Sequence, residues 1–154
     1  MTTAEEPRQP LRRPADYPPI TDVDGLRQRW RSLMGTERFG RRSLWLIFLD
    51  AEGIQLPIVM PIDDVPARPD RTMLAGLGEI LGQVRTADRH VASVAMLLSR
   101  PGDDAATAAD WTWARELGRV LSRAGMPTWP LHLATNDQVQ RITLDQPGTW
   151  AETG

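Results

Sequence analysis

The stretch that decides the fold is VASVAMLLSRPGDDAATAADWTWARELGRVLSRAG, residues 91–125. Its first nine residues, as far as Ser99, form an apolar run that is typical of a buried strand. Thr107 is then a candidate helix N-cap, and Asp110 lies in the first turn, where a carboxylate stabilises the helix dipole. Apolar residues recur at helical spacing as far as Gly125, a natural end of a helix. The stretch therefore predicts a strand, a charged turn and a helix.

A hairpin is predicted upstream of this unit. The runs SLWLIFLD (43–50) and IQLPIVMPI (54–62) are joined by a short turn that contains a glycine, which is typical of two paired strands. Pro57 and Pro61 favour a position at the edge of the sheet for the second strand, because proline lacks the N–H that a central strand needs.

Three more segments complete the order of elements. A short helix is expected after Thr21 or Asp22 and as far as Gly35, and a longer one is expected after Asp70. The segment 129–144 reads as a strand, a turn and a closing strand. We therefore predict an α/β fold: a mixed sheet with an opening β-hairpin, flanked by two main helices, plus a short N-terminal helix. Residues 1–20 are predicted to be a disordered Pro-rich tail, 21–145 a single domain and 146–154 a C-terminal tail.

The amino-acid composition excludes several kinds of catalysis and predicts where the protein is located. The 154 residues include no cysteine and no lysine, which excludes thiolate catalysis, disulfides, Cys-ligated zinc and Schiff-base chemistry. The polar N-terminus carries no apolar signal sequence, and no run reaches the roughly 18 apolar residues of a membrane span. The sequence thus predicts a cytoplasmic protein without membrane contact, and its lysine-free, Arg-, Ala- and Pro-rich composition is typical of a GC-rich genome.

The order of elements and some local motifs resemble the JAB/MPN metallopeptidase-like fold, in particular its RadC-type bacterial branch. The resemblance covers residues 40–145, and it rests on SLWLIFLDAEGIQLP and on the stretch from LSRPGDDAATAADW onward. It implies a metal motif of the form His-x-His-Pro, a short loop and Ser-x-x-Asp at a helix start, with an upstream glutamate as general acid/base.

The departures from this pattern are decisive for function. The two histidine positions fall on Leu98 and Arg100, whereas Pro101 and the Thr107–Asp110 helix start are kept. The position of the glutamate falls near Arg42. A catalytic zinc needs three protein ligands, and a guanidinium repels the cation. We therefore predict a metal-free version of the fold with no catalytic residues and no cofactor.

We call the charged turn between the strand that ends at Ser99 and the helix that starts at Thr107 the junction. Two hypotheses about its role stay open. In the first, which is the common outcome for a charged turn and is favoured here, Arg100 forms an ion pair with Asp103, Asp104 or Asp110. A sharper form of this hypothesis is that Arg100, together with Arg42, fills the former metal position and pairs with Asp110. In the second, the junction binds an anionic or polar ligand at the helix N-terminus. The candidate ligand-binding residues are Arg42, Arg100, Asp103, Asp104, Thr107 and Asp110.

The histidines and tryptophans supply the remaining candidates. His90 is expected at the surface, and His132 is expected to be a hydrogen-bonded structural histidine that faces away from its neighbours in the strand. Trp111, with Arg115 beside it, is either an exposed interface anchor or covered by the N-terminal helix or tail. Trp150 is either a further interface anchor or a residue that packs back on the domain.

Two functions of different classes follow from these observations. The first is a non-catalytic JAB/MPN-like protein of unknown specific role that works as a protein-interaction or scaffold module, with a protein partner or a second copy as its target. The alternative is a small metal-independent enzyme or polar-ligand-binding protein that uses the Arg100–Asp110 junction. We do not expect nucleic-acid binding, although an N-terminal arginine group could supply it. That group consists of Arg8, Arg12, Arg13, Arg27, Arg29 and Arg31.

Overall fold

The helices and strands follow one another in the predicted order in a computed structural model, which describes residues 17–35, 39–102, 105–136 and 138–142. The helices are α1 (Val23–Met34), α2 (Arg71–Ala87) and α3 (Ala108–Ala124), and the strands are β1 (Ser43–Leu49), β2 (Gln55–Asp63), β3 (Ser93–Ser99), β4 (His132–Ala134) and β5 (Val139–Arg141). Strand β3 starts two residues later than predicted, and β4 and β5 are shorter. Within these described ranges, no helix is both long enough and apolar enough to span a membrane.

The five strands form one mixed sheet in the order β2-β1-β3-β4-β5. Strands β1 and β2 form the predicted antiparallel hairpin, and β1 also pairs with β3 in antiparallel orientation. Strands β3 and β4 are parallel, so α3 is the crossover that connects them, and β5 closes the sheet antiparallel to β4. The mixed α/β sheet is therefore confirmed.

The helices cover the sheet from both sides. Alternate residues of β1 point to opposite faces, so Leu44 and Phe48 join the core under α2 and α3, whereas Ile47 joins the core under α1. The core on the α1 side also contains Leu26 and Trp30 of the helix itself. The sequence predicted three helices around a sheet, and the structure adds that α1 packs alone on one face.

The predicted helix caps are formed. Asp22 and Asp70 have extended backbone conformations, and their carboxylates accept hydrogen bonds from N–H groups in the first turns of α1 and α2. Gly125 ends α3 in the left-handed conformation, with φ of 67°. The carboxylates of Asp22 and Asp70 thus satisfy backbone N–H groups that the start of a helix leaves without a partner.

The segment before α1 is attached to the domain, although the prediction counted it with the tail. Ile20 is buried in the core on the α1 side, and its N–H donates to the Gly53 carbonyl at 2.8 Å. Gly53 has φ of 83°, and a Cβ there would collide with the Ile20 carbonyl. Glycine is required at this contact, and residues 17–20 lie on the domain rather than apart from it. Residues 1–16 and 143–154, which hold most of both predicted tails, lie outside the described residues.

Strand β2 is an edge strand, as its prolines predicted. Leu56, Ile58 and Met60 turn their side chains toward the core under α2 and α3. Pro57, Val59 and Pro61 alternate with them and are exposed. The strand therefore has one packed face and one open face.

Candidate functional site

The predicted junction lies where parallel strands β3 and β4 end. Ser99 pairs with Ala134 in the last register position, and the Arg100 N–H donates to the Ala134 carbonyl at 3.0 Å. The chain then turns through Gly102, whose φ is 103°, and enters α3 at Thr107. In α/β folds this carboxyl edge of the sheet is a common place for ligand sites.

The Arg100 guanidinium lies directly on the Asp110 carboxylate. Its Nη2 donates to Asp110 Oδ2 at 2.8 Å, and its Nε lies 3.1 Å from Oδ1 and 3.2 Å from Oδ2. Both residues are buried, with 5% of Arg100 and 0% of Asp110 exposed. The ion pair that the sequence favoured is therefore confirmed.

The carbonyls of the turn take up the remaining donors of Arg100. Nη1 donates to the Pro101 carbonyl and Nη2 to the Ala105 carbonyl, each at 3.0 Å. Since a guanidinium has five N–H donors, these bonds and the two to Asp110 occupy at least four of them. The guanidinium thus holds the two ends of the turn together.

Asp110 is also half of a capping box. The Thr107 N–H donates to Asp110 Oδ2 at 2.9 Å, and the Asp110 N–H donates back to Thr107 Oγ1 at 3.3 Å. The Asp110 carboxylate therefore accepts from a side chain and from the backbone at once. This arrangement is the Thr-x-x-Asp helix start that the sequence predicted, with a buried cation added.

Arg42 reaches the same end of the sheet but does not join the ion pair. It precedes Ser43, which pairs with Ser99, and Arg100 follows Ser99, so the two arginines lie just beyond the same end pair of antiparallel strands β1 and β3. Its Nε is buried and has no hydrogen-bond partner among the described residues. Among the described residues no ion pair joins Arg42 to Asp110, whose carboxylate is bound by Arg100 and the helix start, and the role of Arg42 as a ligand-binding residue stays a prediction.

A metal ion does not fit the residues at this position. Leu98 is completely buried in the core under α2 and α3, and Arg100 supplies a positive charge where a ligand would have to donate electrons. Among the described residues, no group of three or more His, Asp or Glu side chains could hold a metal ion. Asp103 and Asp104, predicted as ligand-binding residues, lie outside the described residues.

His132 is the most perturbed titratable group of the described chain. It is 0% exposed, and its Nδ1–H donates to the Pro130 carbonyl at 3.1 Å, as expected for a structural histidine. Burial lowers its pKa to about 4, and the positive charges of Arg141 and Arg27 act in the same direction, whereas the bond to Pro130 opposes them. His132 pairs with Leu97 and so faces α1.

Two buried nitrogens on the α1 side lack hydrogen-bond partners among the described residues. They are Nε2 of His132, which is an acceptor because Nδ1 carries the proton, and Nε1 of Trp30, which is a donor. Sequence reasoning missed Trp30 as a polar group, because its spacing marks it only as a core residue. His90 is exposed, as predicted.

Trp111 and Arg115 lie on the flank of α3 that faces the end of the sheet at β5. Both are half-buried, and Trp111 packs against the core under α2 and α3. Covering by α1 is excluded, since that helix lies on the opposite face of the sheet. Trp150 lies outside the described residues, so its predicted role as an anchor stays a prediction.

An apolar groove of about 310 Å³ continues this flank. Gly118 lies one turn after Arg115 at its floor, and Arg141 and Ile142 form its far wall at the end of β5. Its apolar lining consists of Met96, Ala114, Leu117, Leu121, Trp129, Pro130, Leu131 and Ile142. We call this feature the α3 groove.

Other cavities of the described chain also lie away from the ion pair. One of about 770 Å³ lies between α2 and α3 and is lined by apolar residues and by charged ones such as Glu79 and Arg123. A polar one of about 540 Å³ lies between the end of α1 and the β4–β5 turn. Neither cavity is lined by Arg100 or Asp110.

Comparison with known proteins adds no family to these observations. No protein-family model matches the sequence, and no curated protein matches it at a significant level.

Proposed function

We propose that this chain is a non-catalytic domain of JAB/MPN-like architecture that acts as a protein-interaction module. The observation that carries the proposal is the closed state of the Arg100–Asp110 junction. Both oxygens of the buried Asp110 carboxylate accept from the Arg100 guanidinium, and Oδ2 also accepts from a backbone N–H, which disfavours a role for Asp110 as a general base or a metal ligand.

The same geometry disfavours the alternative of polar-ligand binding at this junction. An anionic ligand needs donors that point toward it, whereas at least four donors of Arg100 are directed at Asp110 and at the carbonyls of the turn. A ligand would have to replace a buried ion pair, which costs several kcal/mol. The junction is better suited to holding β3 and α3 in place.

The flank of α3 is the surface we assign to a partner. Half-buried Trp111 and Arg115 and the α3 groove combine an apolar centre with a positive rim, the composition that protein interfaces favour. The partner is a protein or a second copy of this chain. The cytoplasmic location stays a prediction from the sequence, and a bacterial source stays a prediction from the resemblance.

Metal analysis tests the non-catalytic part of the proposal. The full chain, purified without chelators and then dialysed against zinc, is expected to retain far less than one zinc ion per chain. Asp110→Asn is the matched variant. A wild-type chain that holds one zinc ion, which this variant loses, would overturn the proposal.

The interaction part needs a separate experiment. We expect proteins captured from a lysate of the native host to be lost with Arg115→Glu and kept with Arg119→Glu. Arg119 is on the same helix, but it is exposed and lies at the groove between α2 and α3. Equal capture by both variants would refute the assignment of this surface, and size-exclusion chromatography with light scattering tests a second copy as the partner.

A further inference from the structure

The α3 groove lies where the chain leaves the described structure. Ile142, the last described residue, lines the groove, and its N–H donates to the Leu131 carbonyl at 2.8 Å. The direction of the chain at this point is therefore fixed by the wall of the groove. The segment that follows in the sequence is thus attached directly to a residue of the groove wall.

The sequence of residues 143–154, TLDQPGTWAETG, has the chemistry that this groove requires. Leu144 and Trp150 are its large apolar side chains. Its charged residues are Asp145 and Glu152, both acidic, whereas the groove carries Arg141 on its wall and Arg115 one turn before Gly118. The apolar lining and the positive rim are thus complementary to an acidic segment with an aromatic anchor.

The spacing of the segment allows Trp150 to return to the groove. It lies eight residues beyond Ile142, and an extended chain of that length reaches up to about 28 Å, whereas α3 from Ala114 to Leu121 spans only about 10 Å. The dipeptide Pro147-Gly148 is one that the central positions of a type II turn favour, so the sequence is compatible with a reversal of the chain between Leu144 and Trp150.

We propose that residues 143–154 of this chain occupy the α3 groove, with the Trp150 indole as the buried anchor. The segment then shields the apolar lining from water, and a partner that binds the flank of α3 has to displace it. Only this competition rests on the proposed function, since the docking of the segment does not depend on it. The C-terminal segment would thus compete with partners for the α3 groove.

The proposal can be tested on the full chain through fluorine NMR after labelling with 5-fluorotryptophan. The chain has six tryptophans, so six signals are expected, and Trp150→Phe assigns the signal of residue 150. In the wild-type chain this signal is expected to lie away from the free amino acid and to show a small shift between H2O and D2O. A signal with the full solvent shift would overturn the proposal.

Gly118→Leu fills the groove, and Gly82→Leu is the matched control. A Cβ at either glycine meets no atom within 4 Å, and leucine has the higher helix propensity, so both variants are expected to fold. Gly82 lies on α2 and does not line the groove. Gly118→Leu is expected to give Trp150 the full solvent shift, whereas Gly82→Leu leaves it unchanged.

Other outcomes are equally decisive. A buried Trp150 whose signal ignores Gly118→Leu would place the segment elsewhere and overturn the proposal. A signal that becomes solvent-exposed on dilution would show that the groove takes the segment of a second copy, which also overturns it. Zinc content and partner capture test the proposed function independently, so failure of one proposal can be told apart from failure of the other.

Discussion

The pH dependence of folding should be governed by His132 over a defined range. Its pKa is about 4 in the folded chain, whereas an unfolded histidine has a pKa near 6.5. Between these values the unfolded chain binds a proton that the folded chain excludes, so the free energy of unfolding falls as the pH falls. Above pH 6.5 both states carry a neutral imidazole, and the effect disappears.

The size of the effect follows from the two pKa values. One pKa unit corresponds to about 1.4 kcal/mol, so His132 removes about 2 kcal/mol of stability at pH 5 and about 3 kcal/mol at pH 4. This is a large fraction of the 5–15 kcal/mol that is typical of a domain. The physical cause is that protonation would put a charge into the core under α1, close to Arg27 and Arg141.

Urea unfolding followed by circular dichroism at a series of pH values from 4 to 8 measures this loss. His132→Asn keeps a side-chain donor for the Pro130 carbonyl and removes the titration, so we expect a less stable protein whose stability declines less toward acid. His90→Asn is the control, because His90 is the other histidine and is exposed. Parallel pH profiles for wild type and His132→Asn would refute the reasoning.

Two further predictions concern the ion pair and the glycine contact. Asp110→Ala is expected to cost about 3–5 kcal/mol because it leaves Arg100 buried without its partner, and combining it with Arg100→Met should cost clearly less than the sum of the two single variants. Additive costs in denaturant unfolding would contradict a coupled pair. Gly53→Ala is expected to lower stability by at least about 1–3 kcal/mol, because it adds a Cβ against the Ile20 carbonyl at positive φ. The same measurement on Gly40→Ala, where a Cβ meets no atom, should show little change, and equal losses would contradict this account.

The order of the elements could be predicted because it depends on local patterns. Apolar runs, helical spacing and caps such as Asp70 and Thr107 act over a few residues, and the structure confirms them. The Arg100–Asp110 ion pair could also be predicted from the sequence, because the two residues flank a short turn. The predicted boundaries of β3 and β5 were less accurate. A strand ends where its neighbour stops pairing with it, and the local sequence does not record that position.

The features that the sequence could not supply depend on contacts between distant segments. The contact between Ile20 and Gly53 joins the start of α1 to the hairpin turn, and neither residue carries a local sign of it. The hydrogen bond from Arg29 to Gln55, 2.7 Å long, also connects α1 to the hairpin across the sequence. The position of Trp111 followed from the face on which α1 packs, which periodicity alone leaves open.

The prolines of β2 have a consequence for how this domain can associate. An edge strand normally offers a row of backbone donors and acceptors to which a strand of another molecule can add, the first step toward aggregates. Pro57 and Pro61 remove two donors from β2, and β5 at the opposite edge is three residues long. Addition of a strand from another molecule is therefore disfavoured at both edges of the sheet, so β-sheet extension is an unfavourable route for this domain to associate.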